Sequence, residues 1–305
     1  MTPVVLGGAV STELQRRGCS IAAPWWSNMA LRTPEGRVLL RRVHADFLAA
    51  GAHVLAANTF RTNKYALAEI GTDCDDLIRI ALDEARGARE DELRAGVPRT
   101  NPQPRIAASI APVRDSYAPE LVPDDDVLAA EHRWHVERLV EHGAELLLVE
   151  TMNTGREALA ALAEGKRLDQ TVWVSFVCDD GGRLLSGEPV AQVAGTAVAQ
   201  GADAVLVNCT NVPATSTALA MIRDGEITGP VGCYPNIESR AGLPKWERID
   251  RYIPSNYDPH DFAGMLAALA ETYGLAIVGG CCGTSPGHLA AAAKAVSRDP
   301  AAGAG

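Results

Sequence analysis

Residues 278–286 read Val-Gly-Gly-Cys-Cys-Gly-Thr-Ser-Pro, so two adjacent cysteines, Cys281 and Cys282, follow a short apolar run and stand between glycines. A disulfide between them is a poor account, because neighbouring Cα atoms lie about 3.8 Å apart across a trans peptide and ordinary disulfides need about 4.4–6.8 Å. Two thiolates converging on one metal ion is the better one. The apolar run at 275–278 predicts a buried strand, and Gly279, Gly280 and Gly283 let the chain turn sharply after it, leaving both sulfurs at the strand's end. Residues 204–209, Ala-Val-Leu-Val-Asn-Cys, form another apolar run that ends in polar groups. If the two strands share a sheet, Cys209 projects at the same level and the site holds three thiolates.

Positioning those sulfurs requires a sheet, and the rest of the chain supplies its pattern. Apolar runs that predict strands recur at 3–8, 53–57, 105–110, 145–149, 171–177, 204–207, 231–234 and 275–278. Helical stretches separate them. Thr12 and Gln15 read as a capping box for the first helix, and Thr33 with Pro34 opens a second that runs to Gly51. Residues 75–95 are helical, and the acidic run Asp124, Asp125 and Asp126 starts a helix that Gly143 closes. Further helices are expected at 187–199, 213–222, 259–273 and 286–296. Eight strand-helix units with near-continuous apolar strands predict a parallel sheet covered by helices, and eight units favour closure: an α/β fold, a (β/α)8 TIM barrel, as a single domain over residues 1–305.

In such a barrel chemistry sits at the C-terminal ends of the strands. Gly7, Asn58, Glu150, Asn208, Cys209, Asn236, Cys281 and Cys282 all fall there. Glu150 reads either as a substrate-binding carboxylate or as a cap on the following turn, and the substrate role is favoured by its place beside the expected pocket. The stretch 235–259, with Arg240, Lys245, Trp246, Arg248 and Tyr252, is the longest without periodicity and is a candidate lid or substrate loop. Trp26 and Trp246 are packing residues or faces for a cationic ligand. His132 and His135, three apart on a helix, read as ordinary exposed histidines rather than metal ligands.

Composition excludes several classes. Acidic residues outnumber basic ones, 38 to 28, for a net charge of −10, which opposes binding to nucleic acid and leaves small molecules as the expected partners. A hydrophobic share of 47 % with mean hydropathy near zero fits a globular chain, and no uncharged stretch reaches membrane-spanning length. Seven scattered cysteines fit reduced thiols better than a disulfide framework, and no basic, apolar leader opens the sequence, so the expected location is the cytoplasm. Cys19, Cys74, Cys178 and Cys233 are expected to be spectators.

The motifs resemble those of the homocysteine S-methyltransferase family, the zinc-dependent thiol methylases. The resemblance covers nearly the whole chain. It is carried by Gly-Ala-Val-Ser-Thr-Glu-Leu at 8–14, Asn-Thr-Phe-Arg-Thr at 58–62, Glu150-Thr151, Asn208-Cys209-Thr210, Tyr234-Pro235-Asn236 and Gly-Gly-Cys-Cys-Gly at 279–283. It implies a zinc ion held by Cys209, Cys281 and Cys282, with Glu150 near the acceptor's amine; Asn58 and Asn236 join Glu150 as candidate substrate-binding residues. The implied partners are a thiol acceptor, homocysteine, and a methyl donor, S-methylmethionine or S-adenosylmethionine. One departure stands out: where the family has Asp-Gly after the first strand, this chain has Gly7-Gly8, so a carboxylate expected at the acceptor's amine is missing.

The chemistry explains the three sulfurs. A free thiol with a pKa near 8.5 is only a few per cent thiolate at neutral pH, whereas a coordinated one is deprotonated outright. Three protein ligands with one open position is the catalytic pattern of zinc, and a structural site would need a fourth fixed ligand. Two other functions are open from sequence: a metal-dependent barrel hydrolase, which predicts a His-x-His pair that does not occur here, and a zinc-binding barrel that has lost catalysis.

Overall fold

Short runs of Val, Leu, Ile and Ala that are apolar on both faces are stable only where both faces are covered, and here each becomes a parallel strand between a packed interior and a layer of helices. The computed structural model describes residues 2–68, 70–96, 103–243 and 251–297. In chain order the elements are β1 (Val4–Leu6), α1 (Val10–Arg16), α2 (Pro34–Ala49), β2 (Val54–Ala57), α3 (Lys64–Leu67), α4 (Cys74–Arg94), β3 (Arg105–Ile110), α5 (Asp125–Glu141), β4 (Leu146–Met152) and α6 (Gly155–Arg167). They continue as β5 (Val172–Phe176), α7 (Val190–Ala199), β6 (Ala204–Asn211), α8 (Val212–Asp224), β7 (Val231–Asn236), α9 (Pro259–Tyr273), β8 (Ile277–Gly279) and α10 (Pro286–Val296).

The eight strands pair in sequence order and close on themselves, as the expected barrel does. Closure comes from β1 against β8, with Val4, Val5 and Leu6 opposite Ile277, Val278 and Gly279. That register puts Gly7 and Gly8 level with Gly280 and Cys281. Leu6, Leu146, Leu148, Trp173, Leu206 and Ile277 belong to the buried cluster formed by the strands, while a second, larger cluster seals helices to sheet. β7 and β8 approach closely because position 232 has no side chain: a Cβ there would lie 2.6 Å from the carbonyl oxygen of Ile277. No helix among the described residues is long and apolar enough to cross a membrane.

Helix starts follow local chemistry where a small polar side chain precedes a proline. Thr33 accepts from the Gly36 amide at 3.0 Å ahead of Pro34, and Asn211 accepts from Ala214 at 3.0 Å ahead of Pro213. The expected capping box at Thr12 and Gln15 is not formed. α1 begins earlier, with Ala9 as its N-cap and no side-chain cap, so Thr12 lies inside the helix and its hydroxyl accepts from the Gly283 amide at 3.3 Å. A cap bond to the helix start was traded for one that ties α1 to the cysteine loop.

The two histidines of α5 are not exposed. His132 and His135 lie on the same stripe as Leu128, Val136 and Leu139, which packs inward. The ring Nε2 of His135 lies 3.0 Å from the Thr62 hydroxyl, and burial lowers its pKa to about 3, so the ring is neutral. His132 stands 3.4 Å from buried Glu157, whose other contact is the Val113 amide at 2.7 Å. Their spacing from Leu128, Val136 and Leu139 is that of a core face, which corrects the expectation that they are exposed.

Candidate metal centre and substrate cavity

Strand pairing alone does not aim the sulfur of Cys209. From Val149 to Met152, three steps along β4 span the same stretch as two steps of β5, Val174 to Phe176. β6 repeats the device: three steps from Asn208 to Asn211 span two of β7, Tyr234 to Asn236. Each bulge holds one extra residue, and in each a non-glycine residue adopts a left-handed backbone, Thr151 at φ 61° and Cys209 at φ 49°. For a β-branched threonine this conformation is an outlier that surrounding contacts must hold in place. Here they do. The Thr151 amide and the Ser175 hydroxyl donate to Asn208 Oδ1 at 3.0 and 2.7 Å, and Asn208 Nδ2 donates to the Thr151 hydroxyl at 2.8 Å. That hydroxyl in turn donates to Cys209 Sγ at 3.6 Å. Both strands therefore run past the ends expected from the apolar runs, and the bulges turn Thr151 and Cys209 towards each other.

Asn208→Ala would leave the Thr151 amide buried without an acceptor. The expected result is a loss of about 1–3 kcal/mol in denaturant unfolding, together with weaker metal retention. An unchanged midpoint with unchanged metal affinity would show that the bulges hold without it.

The second half of the centre comes from the glycine turn after β8. The Cys281 amide donates to the Pro235 carbonyl at 3.0 Å and the Cys282 carbonyl accepts from Ile237 at 2.9 Å, so the turn is stitched to the end of β7. Cys281 Sγ lies 2.8 Å from Cys209 Sγ and 3.9 Å from Cys282 Sγ, and all three sulfurs fall within 4.8 Å of one another. A tetrahedral ion with sulfur bonds of about 2.3 Å spaces its ligands about 3.8 Å apart; Cys281 and Cys282 stand at that spacing, and Cys209 and Cys281 would move about 1 Å apart to take it. Among the described residues no further His, Cys, Asp or Glu joins this group, which leaves the side facing the cavity open. The Cys209 thiol is held well below the ordinary range by sulfur hydrogen bonds from Cys281 and Cys282, while that same contact with Cys209 pushes both of their thiols up. One sulfur is easily ionised and two resist; taking all three to thiolates calls for a cation.

The cavity of about 240 Å³ reaches from the three cysteines across the barrel mouth. Glu150 lies in its wall, its carboxylate accepting from Tyr234 Oη at 2.8 Å and from the Ser109 hydroxyl. Burial pushes its pKa up to about 7, against the pull of those two donors. Glu238 lines the cavity beside Cys282, paired with Arg240 at 3.1 Å, and burial likewise raises it to about 7. Tyr117 completes the rim; burial and the neighbouring sulfurs hold its phenol well above the usual range.

The Glu150 shift has a sign that can be tested. A folded pKa raised above the usual 4.5 means that between about pH 4.5 and 7 the native protein keeps a proton the unfolded chain has lost. The group's contribution to stability is complete below the lower value and lost as pH rises through the upper one. Glu150→Gln is therefore expected to stabilise the ligand-free protein at pH 8 by about 1–3 kcal/mol and to flatten its stability between pH 5 and 8, read by denaturant titration. A variant less stable than the parent at pH 8 would contradict this.

Residues 4–296 match the family model described as homocysteine S-methyltransferase. The chain belongs to the homocysteine S-methyltransferase family. It is 30 % identical to a homocysteine S-methyltransferase of Escherichia coli over 94 % of this chain and 93 % of the relative, and 29 % identical to homocysteine S-methyltransferase YbgG of Bacillus subtilis over 94 % and 92 %. The crystal structure of the homocysteine methyltransferase MmuM from Escherichia coli, in its metallated form, superposes with a TM-score of 0.80 at 27 % identity, covering 96 % of each chain. Membership in this family makes the chain a methyltransferase and shows its fold to be the barrel described above.

Within this family member, the sequence-derived residues fall in different places. Cys209, Cys281, Cys282 and Glu150 share the cavity wall, and Asn58 lines it too, although its amide also donates to the Ser27 carbonyl at 2.9 Å. Asn236 is used differently: its Oδ1 accepts from the Glu238 amide at 2.8 Å and shapes the turn after β7. Trp26 lines the cavity at a positive φ of 52°, while Lys245, Trp246 and Arg248 lie outside the described residues. At Gly7 the backbone is not left-handed, but a Cβ would lie 3.1 Å from a Leu55 methyl and 3.2 Å from the Val54 carbonyl, so a side chain there requires Leu55 to give way.

Sequence alone gives Glu238, Tyr117 and Ser109 no role at the site, Arg240 only a place in the candidate lid or substrate loop, and Tyr234 only a place in a strand and in a motif of the family resemblance. Tyr234 was assigned to an apolar strand, and Ser109 sits one residue before the end of β3; both point inward by strand alternation, a signal the sequence carries. Glu238 and Arg240 lie just past β7 in a stretch whose path no periodicity predicts.

Proposed function

We propose that this chain transfers a methyl group from a small sulfonium, S-methylmethionine or S-adenosylmethionine, to the thiol of homocysteine, giving methionine, with zinc held by Cys209, Cys281 and Cys282. The observation that carries it is the convergence of three sulfurs from two strand ends on a cavity that also contains Glu150. Cys209, Cys281 and Cys282 would hold the zinc, which when bound would supply the acceptor's sulfur as a thiolate. The chain's own residues do the rest. Glu150 meets the acceptor's ammonium through a charge-assisted hydrogen bond worth about 1.5–3 kcal/mol, and the ammonium offsets the burial that raises the carboxylate's pKa. Tyr234 and Ser109 hold that carboxylate in place. The thiolate's lone pair forms the new carbon–sulfur bond while the donor's carbon–sulfur bond breaks, so one positive and one negative charge disappear together. A cavity lined by thiolates and carboxylates favours the cationic donor over its neutral product. All seven cysteines are free, which fits a reducing compartment, and we place the reaction in the cytoplasm.

Gly7 supports a second reading, in which the natural acceptor is a different thiol that lacks the amine its missing partner would bind. One experiment addresses both. Zinc-loaded protein is assayed with S-methylmethionine and S-adenosylmethionine against homocysteine and a panel of amine-free thiols. Preference for homocysteine, with its KM raised about tenfold or more in Glu150→Gln, supports the first reading. Turnover confined to amine-free thiols supports the second, and zinc without turnover on any thiol sinks both.

A further inference from the structure

Two carboxylates line the cavity, and the acceptor's single ammonium uses one. The other, Glu238, is placed by the backbone around it. Ile237 donates to the Cys282 carbonyl at 2.9 Å, the Glu238 amide donates to Asn236 Oδ1 at 2.8 Å, and Ser239 donates to the Pro254 carbonyl at 2.8 Å. Gly283 makes the approach possible, since a Cβ on it would sit 2.8 Å from the Glu238 nitrogen. The Glu238 side chain is 11 % exposed and its partner Arg240 is 23 % exposed. Largely burying an acid and a base at a substrate cavity carries a desolvation cost that fold stability does not require. Arg61, the other arginine of the lining, is committed to the fold, donating to the Arg114 carbonyl and the Ser116 hydroxyl.

Position round the barrel separates the two carboxylates. Glu150 belongs to β4 and Glu238 follows β7, three strands further round the closed barrel, so the two carboxylates stand on different sides of the cavity. Displacement at a methyl carbon requires attack from the side opposite the departing sulfur. The donor's sulfur therefore lies beyond the methyl carbon as seen from the acceptor's sulfur, and the side of the cavity that the acceptor's ammonium does not use, where Glu238 and Arg240 stand, is left for its remaining atoms. The departing sulfur keeps the electron pair of the broken bond and leaves as a neutral thioether; no proton moves.

We propose that Glu238 and Arg240 form the subsite for the donor's α-amino acid head, Glu238 receiving the ammonium and Arg240 the carboxylate. The proposal rests on the methyl-transfer reading and names the donor class within it: a sulfonium that carries a free α-amino acid group, in preference to one with a carboxylate alone. In the substrate-free protein the two side chains form an ion pair at 3.1 Å. A zwitterion with both charges on one carbon offers each a partner of opposite sign.

The test compares S-methylmethionine with 4-(dimethylsulfonio)butanoate, the same sulfonium without its amine, using zinc-loaded protein and homocysteine. Glu238→Gln is expected to lower the ratio of kcat/KM for the two donors by at least about tenfold, and Arg240→Gln to lower kcat/KM for both by a similar factor. Equal losses for both donors in Glu238→Gln, no loss for either, or a raised homocysteine KM instead, would overturn the assignment. Calorimetric titration of S-methylmethionine separates this from the underlying reading. If the parent protein binds S-methylmethionine about tenfold or more tightly than Glu238→Gln does but transfers no methyl group, the subsite stands and the methyl-transfer reading falls. If methyl transfer occurs with neither the donor ratio nor binding altered, the subsite falls and the reading stands. Absence of both binding and transfer overturns both.

Discussion

Serine in place of any one of Cys209, Cys281 or Cys282 is expected to remove most of the bound zinc and to cut kcat/KM for methyl transfer about a hundredfold or more. A serine hydroxyl stays protonated at neutral pH and offers a hard oxygen where a soft sulfur was, so the three-ligand set becomes two. Without the ion, the acceptor's thiol is only about 3 % ionised near pH 7, which alone costs about thirtyfold, and the loss of its fixed position multiplies that figure. Zinc per chain, measured on dialysed protein purified under reducing conditions, reads the first effect and steady-state kinetics the second. Cys19→Ser and Cys74→Ser change sulfurs outside the group and should keep the metal. Undiminished zinc in all three site variants would end the assignment.

Gly283→Ala should be nearly as damaging although it touches no ligand atom. Gly283 has φ 86°, where a side chain is strained by about 1–3 kcal/mol, and the new Cβ would also lie 2.8 Å from the Glu238 nitrogen and 3.0 Å from the Ile237 carbonyl carbon. Those are backbone atoms of the loop stitched to Cys282, so no flexible side chain can absorb the contact. The two loops must separate, carrying Cys282 and Glu238 with them. We expect a stability loss of about 2–4 kcal/mol by denaturant unfolding and a fall in zinc affinity of at least about tenfold. Gly187→Ala is the matched control: it shares the left-handed backbone at φ 89°, but nothing lies within 4 Å of its added Cβ, so it should lose stability without losing metal. Equal metal retention in the two variants would show that the close approach at Gly283 is not what holds the centre together.

Much of this protein can be read from its chain alone, because the features concerned are local. Eight apolar runs spaced by helical stretches dictate a helix-covered parallel sheet, since strands apolar on both faces have no other stable place, and the closed order β1 to β8 follows. Cys281 and Cys282 are adjacent, and the polar group that ends each apolar run marks the mouth of the barrel, so Cys209 and Glu150 were legible as its companions. What the chain could not show is where a strand breaks step. The bulges at Thr151 and Cys209 rest on Asn208, whose partners Thr151 and Ser175 come from two other strands, and no local pattern encodes an arrangement held from outside. The same holds for Thr12, drawn off its expected cap by the Gly283 amide 271 positions away, and for His135, which reads as a surface residue until Thr62 is seen beside it. Glu238 is the clearest case. Its neighbours mark a candidate loop over the site, but nothing in the sequence singles out Glu238 itself; it becomes a cavity residue because the turn after β8 has a glycine against which the turn after β7 can close. Local sequence decides which elements form and which side chains stand at their ends, but the direction in which those side chains point is set by contacts between elements distant in the chain, and these exist only once the barrel has closed.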